Sequence, residues 1–285
     1  MIQPPAVLTI GGSDSGGAAG IQADLKSFTA WRVYGMSVLT AVTAQNSVRV
    51  AGVHYLPPDF VAAQIDAVLE DYGAAAVKTG FTGRTELVEI IAGRLHAWHT
   101  GEPARVGPLV VDPVLVNHRS EPMFAPEVGD AYCDLLLPQA TLVLPNRAEA
   151  ALLTGEPVTT LASAETAARA LAAMGARNVL VKGIPAGQEI ADLFFDGQHV
   201  QIWRAPRLDT ANRHGSGDTL SAAIAAALAL GLPLDVAIAE ARAYTQAALR
   251  GGSAWRLGAG HGPLAHWAST AEDEPADRPG QSHEM

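Results

Sequence analysis

Short apolar runs alternate along this chain with longer stretches in which apolar positions recur every third or fourth residue. Val7 to Ile10, Met36 to Thr43, Val53 to Leu56, Ala76 to Lys78, Leu109 to Val111, Thr141 to Leu144 and Asn178 to Val181 read as strands, several of them apolar enough to be buried on both faces. Between them, Ala19 to Trp31, Phe60 to Tyr72, Thr85 to Trp98, Arg147 to Leu153 and Ala164 to Met174 read as helices. That order predicts a mainly parallel sheet with helices on both faces. Ile190 to Phe195 and His199 to Trp203 flank Asp196-Gly197, a hairpin signal that adds antiparallel strands at that edge. Gly217 to Leu230 and Asp235 to Leu249 read as the last helices. No repeat or linker divides residues 1–268, which read as one α/β domain.

Composition narrows the partners. The chain has 285 residues, 48% hydrophobic and 17% charged, enough for a sizeable core. A net charge of −10 argues against nucleic acid. Part of that charge sits in 269–285, where Glu272, Asp273, Glu274, Asp277 and Glu284 face only Arg278; with its prolines this segment reads as a disordered acidic tail. The longest apolar run, Leu220 to Leu230, is too short to span a membrane. The lone cysteine, Cys133, reads as a packing residue, and with no leader-like N-terminus a cytoplasmic location is expected.

The candidate chemistry lies at strand ends, where open α/β sheets bind ligands. These ends carry Gly11-Gly12-Ser13, Gln45-Asn46, Lys78-Thr79-Gly80, Asp112, Asn146 and Lys182. The set suits a phosphate and a cation: Asp112 and Glu149 for Mg²⁺, directly or through water, and Lys182 for a phosphate tail. Gly215, Ser216 and Gly217 precede an alanine-rich helix, so their amides can receive an anion. Asp218 either caps that helix or takes a proton from a reacting hydroxyl. The glycine turns fit neither the dinucleotide fingerprint nor a P-loop. His96 and His99 read as solvated surface, since no third ligand joins them at a fitting spacing. Gly258 to Gly262 reads as a C-terminal loop.

These motifs together resemble a known family. Gly12-Ser13-Asp14-Ser15-Gly16-Gly17, Gly20-Ile21-Gln22-Ala23-Asp24-Leu25-Lys26, Tyr34-Gly35-Met36-Ser37, Thr43-Ala44-Gln45-Asn46, Lys78-Thr79-Gly80, Val111-Asp112-Pro113-Val114, Pro145-Asn146 with Glu149, Val181-Lys182-Gly183, the 209–221 stretch and Gly260-His261-Gly262-Pro263 resemble the hydroxymethylpyrimidine/phosphomethylpyrimidine kinases of thiamin biosynthesis, in the ribokinase superfamily. The resemblance covers Val7 to Trp267. It implies a ribokinase-like three-layer sandwich that uses ATP and Mg²⁺ to phosphorylate a pyrimidine's hydroxymethyl group, with the second phosphorylation of the monophosphate left open. It also implies a homodimer and leaves open a requirement for K⁺.

Carried over, Gln45 would bond the aminopyrimidine, and Gly12, Asp24, Thr43, Phe81 and Val114 would line its pocket. Asn146 and Glu149 would order the magnesium and its waters. Lys182, Thr210 and His214 would lie by the nucleotide, with Gly215 to Gly217 as anion hole and Asp218 as base. Three positions depart from the family pattern. Asp218 replaces the usual cysteine, as in pyridoxal and sugar kinases. Asn117-His118-Arg119-Ser120-Glu121 replaces a lysine-serine-glycine segment. Phe81-Thr82 stands where methionine-leucine is common. A pyridoxal kinase, or a dual enzyme, is the alternative. A non-catalytic binder of this fold would be marked by loss of Asp218, Lys182 or Glu149, and all three are present.

Overall fold

A computed structural model describes residues 3–117 and 119–267. His118 and the acidic tail expected over 269–285 lie outside the described residues. The strands are β1 (Ala6–Ser13), β2 (Tyr34–Gln45), β3 (Val50–Tyr55), β4 (Ala76–Thr79), β5 (Leu109–Val111), β6 (Leu142–Val143), β7 (Val179–Ala186), β8 (Glu189–Phe195) and β9 (Val200–Pro206). The helices are α1 (Gly20–Ala30), α2 (Pro58–Asp71), α3 (Thr85–Thr100), α4 (Pro126–Ala131), α5 (Arg147–Thr154), α6 (Leu161–Ala173), α7 (Ser216–Ala229) and α8 (Leu234–Gly252).

All the strands join one nine-stranded sheet in the order β3-β2-β1-β4-β5-β6-β7-β8-β9. From β2 to β7 the neighbours are parallel. The expected antiparallel hairpin forms one edge, β8 and β9. A second antiparallel strand, β3, forms the other edge against β2.

Alternation along the central strands explains the layers, because successive side chains point to opposite faces. Leu8, Ile10, Val111, Val143 and Val181 pack with α2 to α6. Val7, Val110, Leu142, Leu144 and Leu180 pack with α1, α7 and α8. Both faces are therefore covered, as a parallel sheet requires. Cys133 is half-buried against the first core, and burial raises its thiol to about 11, so it is a packing residue. Among the described residues, no helix is long and apolar enough to cross a membrane.

The parallel strands point their carboxyl ends at one rim. Two irregularities shape it. The β1–β2 register shifts between Gly11 and Gly12, and the β7–β8 register shifts between Val181 and Ile184, around Lys182. Such bulges re-aim side chains where a strand meets a site.

Candidate active site

Two helix N-termini meet at this rim. Gly215, immediately before α7, has φ +83° and lies so close to the Ala18 carbonyl that a Cβ has no room. The Gly217 and Asp218 amides have no hydrogen-bond partner among the described residues. Free first-turn amides together with the helix dipole make an anion site. Asp218 does not cap α7. Its carboxylate takes the Lys78 ammonium at 3.0 Å, and the backbone amide of Gly20, the first residue of α1, helps to hold it low.

Lys78 is the centre of this part of the rim. It is 1% exposed and donates to both oxygens of Asp24 at 2.8 Å as well as to Asp218. Thr9 donates to Asp24 at 2.6 Å. Burial pushes Asp24 above its ordinary value against the pull of Lys78. Burial also opposes the charge on Asp218, but there Lys78 prevails and holds the carboxyl low. Asp24 is thus sealed beneath the rim and reaches it only through Lys78. Asp218, with 17% of its side chain exposed, is the member that opens outward.

The next strand ends carry the second charged group. Lys182 donates to Asp112 at 2.8 Å, and Ser221 donates to the other Asp112 oxygen at 3.1 Å. The Asn146 side chain caps α5, accepting from the Ala148 and Glu149 amides. Glu149 closes the capping box by accepting from the Asn146 amide at 2.8 Å. Burial raises the Glu149 carboxyl well above its usual range; Lys182 works against the shift and Asp112 adds to it. Among the described residues, no three His, Cys, Asp or Glu side chains converge as a metal cage. Two carboxylates beside a lysine, one of them already holding backbone amides, instead fit a Mg²⁺ that keeps most of its waters and leans on substrate phosphates.

Of the remaining predicted residues, Gly12, Thr43 and Gln45 sit at the carboxyl ends of β1 and β2, and Phe81 follows β4. Gln45 Nε2 lies 3.1 Å from His214 Nε2, so the residue expected at the pyrimidine touches the residue expected at the nucleotide. The same His214 nitrogen is 3.6 Å from Asp14. Asp14 accepts from the amides of Gly16, Ala18 and Ala19. Burial opposes its charge, yet His214 and these amides hold it at about 2. Phe81 stacks on Tyr55 with ring centroids 6.1 Å apart and meets Phe124 edge-on. A Cβ on Gly12 would stand 3.0 Å from the Phe81 ring, so the small residue leaves that ring its place. Thr43 donates to the Ser13 carbonyl at 2.8 Å, and Val114 is half-buried next to Asp112. Thr210 is drawn into its own loop, accepting from the Asn212 amide and donating to the Ser253 carbonyl.

The structure therefore brings Asp218, Gly215 to Gly217, Lys182, Asp112 and Glu149 to one end of the sheet, with Gln45 and His214 in contact beside them. Lys78 and Asp14 organise both halves, although sequence reading gave neither a role. Their signals were present: a lysine inside a buried strand, and an aspartate inside a glycine turn. His96 and His99 are exposed, as a surface reading expects. The Gly258–Gly262 loop docks on Ser47 and on Asn212, and so braces the segment before the anion hole.

Known proteins resemble this chain in sequence and fold. A hydroxymethylpyrimidine/phosphomethylpyrimidine kinase of Rhizobium meliloti is 47% identical over 91% of this chain and 96% of its own length. A pyridoxal kinase of Staphylococcus aureus, solved in complex with AMP-PCP and pyridoxal, superposes with a TM-score of 0.84 at 32% identity, covering 95% of this chain and 96% of that one. A phosphomethylpyrimidine kinase of Clostridium difficile gives 0.74 at 33% identity, over 85% and 98%. The phosphomethylpyrimidine kinase family profile matches residues 14–265. With nearly the whole chain matched, this protein belongs to the phosphomethylpyrimidine kinase family of ATP-dependent phosphotransferases.

Proposed function

We propose that this enzyme transfers the γ-phosphoryl group of ATP to the hydroxymethyl oxygen of 4-amino-5-hydroxymethyl-2-methylpyrimidine in thiamin biosynthesis. The observation that carries this reading is the Asp218 carboxylate beside the unpartnered amides of Gly217 and Asp218, at one rim with Lys182 and Gln45. Asp218 takes the hydroxyl proton, and the amides at the start of α7 receive charge that builds on the transferred group. A carboxylate held low is a weak base, but phosphoryl transfer passes through a loose transition state in which positioning and charge stabilisation dominate. Lys182 neutralises phosphate oxygens once it turns from Asp112. Asp112 and Glu149 would hold the Mg²⁺ through water, and the ion would supply positive charge against the phosphates of ATP. Gln45 offers its amide to the ring, and Phe81 on Tyr55 offers a flat apolar wall. Thr43, Gly12 and Val114 complete the same ring site, and Thr210 and His214 flank the nucleotide. Asn146 fixes Glu149.

A second reading, pyridoxal phosphorylation, is favoured by Asp218 in place of cysteine and by the likeness to the Staphylococcus aureus pyridoxal kinase. ADP release with each alcohol under Mg·ATP separates the two. The pyrimidine is expected to lead in kcat/KM by about tenfold or more; a lead for pyridoxal would reverse the assignment. The ratio of ADP to pyrimidine consumed counts the phosphoryl groups added, and so tests the second phosphorylation at the changed 117–121 loop. A homodimer, a cytoplasmic location and a K⁺ requirement belong to the same proposal.

A further inference from the structure

Asp24 is the deepest charged group under the site, and its place in the reaction follows from what Lys78 must do while Asp218 works. Lys78 is fully buried and has two carboxylate partners, which it holds unequally. It spans both oxygens of Asp24 at 2.8 Å but takes a single oxygen of Asp218 at 3.0 Å. Asp24 is further fixed by the Thr9 hydroxyl at 2.6 Å and is 1% exposed. With both carboxylates ionised against one ammonium the set carries one negative charge; the two-oxygen Lys78 contact and the Thr9 hydroxyl favour the ionised Asp24 that burial alone would disfavour.

We propose that Asp24 and Lys78 are positioning residues for Asp218: Asp24 is the standing counter-ion that keeps Lys78 paired while Asp218 gains and loses a proton. The idea rests on the phosphotransfer reading above. In the step itself the substrate O–H bond breaks and its proton goes to Asp218. The freed oxygen pair forms the bond to the γ-phosphorus, and the bond to the β-phosphate oxygen breaks, its electrons leaving with ADP. The proton then passes from Asp218 to solvent. Lys78 and Asp24 exchange no proton.

Their contribution is electrostatic. Were Asp218 the sole partner of Lys78, its protonation would strand a buried ammonium, a costly state that would set Lys78 against the reaction. With Asp24 in place, protonation of Asp218 leaves a neutral, fully hydrogen-bonded pair. Asp24 thereby acts through Lys78 and does not touch the substrate.

The test compares wild type, Asp24→Asn and the double variant Asp24→Asn with Lys78→Met, using the aminopyrimidine alcohol, pyridoxal and ATP. Asp24→Asn keeps the shape and the Thr9 contact but leaves Asp218 as the one carboxylate paired with Lys78. Its kcat is expected to fall by about 10²-fold, on the scale of a disabled base, with KM for alcohol and ATP within about twofold. The double variant removes the ammonium as well, and is expected to recover at least about tenfold of that loss. A rise in the alcohol KM that accounts for the Asp24→Asn defect would place Asp24 against substrate and overturn the inference. So would a folded double variant no faster than Asp24→Asn. If Asp24→Asn does not fold, the double variant decides alone: unchanged KM values with kcat within about tenfold of wild type are expected, and a raised alcohol KM overturns the inference. Wild type forming ADP with neither alcohol defeats the functional reading and this inference together, whereas an active wild type isolates the role of Asp24.

Discussion

The α-carbon of Gly215 packs directly against the carbonyl of Ala18, so the turn before α7 and the turn before α1 are locked face to face. Gly215→Ala is expected to cost about 1–2 kcal/mol from the left-handed backbone alone, and more because Ala18 must move. Thermal denaturation should show a lowered Tm, and ADP release should fall steeply because the Gly217 and Asp218 amides shift with the turn. A variant with wild-type turnover would show that this contact does not set the anion hole.

Asp218→Asn keeps the side chain's size and removes its basicity. Turnover is expected to drop by about 10²- to 10⁴-fold, while ADP binding by calorimetry stays near wild type. Near-normal turnover on the best alcohol would remove Asp218 from the proton transfer.

Gln45→Ala removes the amide that meets His214 and faces the proposed ring site. The alcohol KM is expected to rise by about tenfold, the loss of one good hydrogen bond, with the ATP KM far less affected. Equal rises in both would assign Gln45 to general support of the rim.

His266 sets a pH dependence of stability. It is 3% exposed and lies 3.0 Å from the Thr219 hydroxyl of α7. Burial, with Lys26 adding to it, lowers its pKa from 6.5 to about 4. The fold thus disfavours the charged form. The stability tied to neutral His266 is complete above pH 6.5 and is lost as pH falls towards 4, because the unfolded chain takes the proton first. The loss is at most about 3 kcal/mol, from about 1.4 kcal/mol per unit. Urea denaturation of wild type and His266→Gln at pH 7 and pH 4.5 checks it: the wild type should lose more stability between the two. Equal losses would mean that His266 titrates as in the unfolded chain.

The central architecture was legible because its signal is local. Val110, Val111, Val143, Leu180 and Val181 are apolar on both faces, and that is what a parallel strand shows in a sequence. β3 was harder to place, since from Val50 to Val53 every residue is exposed and no buried face marks its pairing. α4 is only six residues long and has no room for a helical period. In the site, the Gly215–Asp218 turn could be read from its composition. The Lys78 pairings could not, because Asp24 and Asp218 lie 54 and 140 residues away from it and no spacing rule spans such distances. The choice between cap and base for Asp218 likewise needed to show which way the carboxylate turns.

The alanine run of α7 has a consequence for how the enzyme moves and changes. From Ala222 to Ala227 every side chain is fully buried, between the sheet and the helices α1 and α8. Such a segment opens only when the whole molecule opens, so its amide hydrogens should be among the slowest to exchange with solvent. The proposed base, Asp218, and the unpartnered Gly217 and Asp218 amides are mounted on this slow element. The exposed β3 edge is its opposite, free to breathe and to accept substitution. Ligand preference can therefore drift at one end of the rim while the phosphoryl chemistry at the other stays fixed, and a lineage of such enzymes can exchange one flat alcohol for another without rebuilding its catalytic helix.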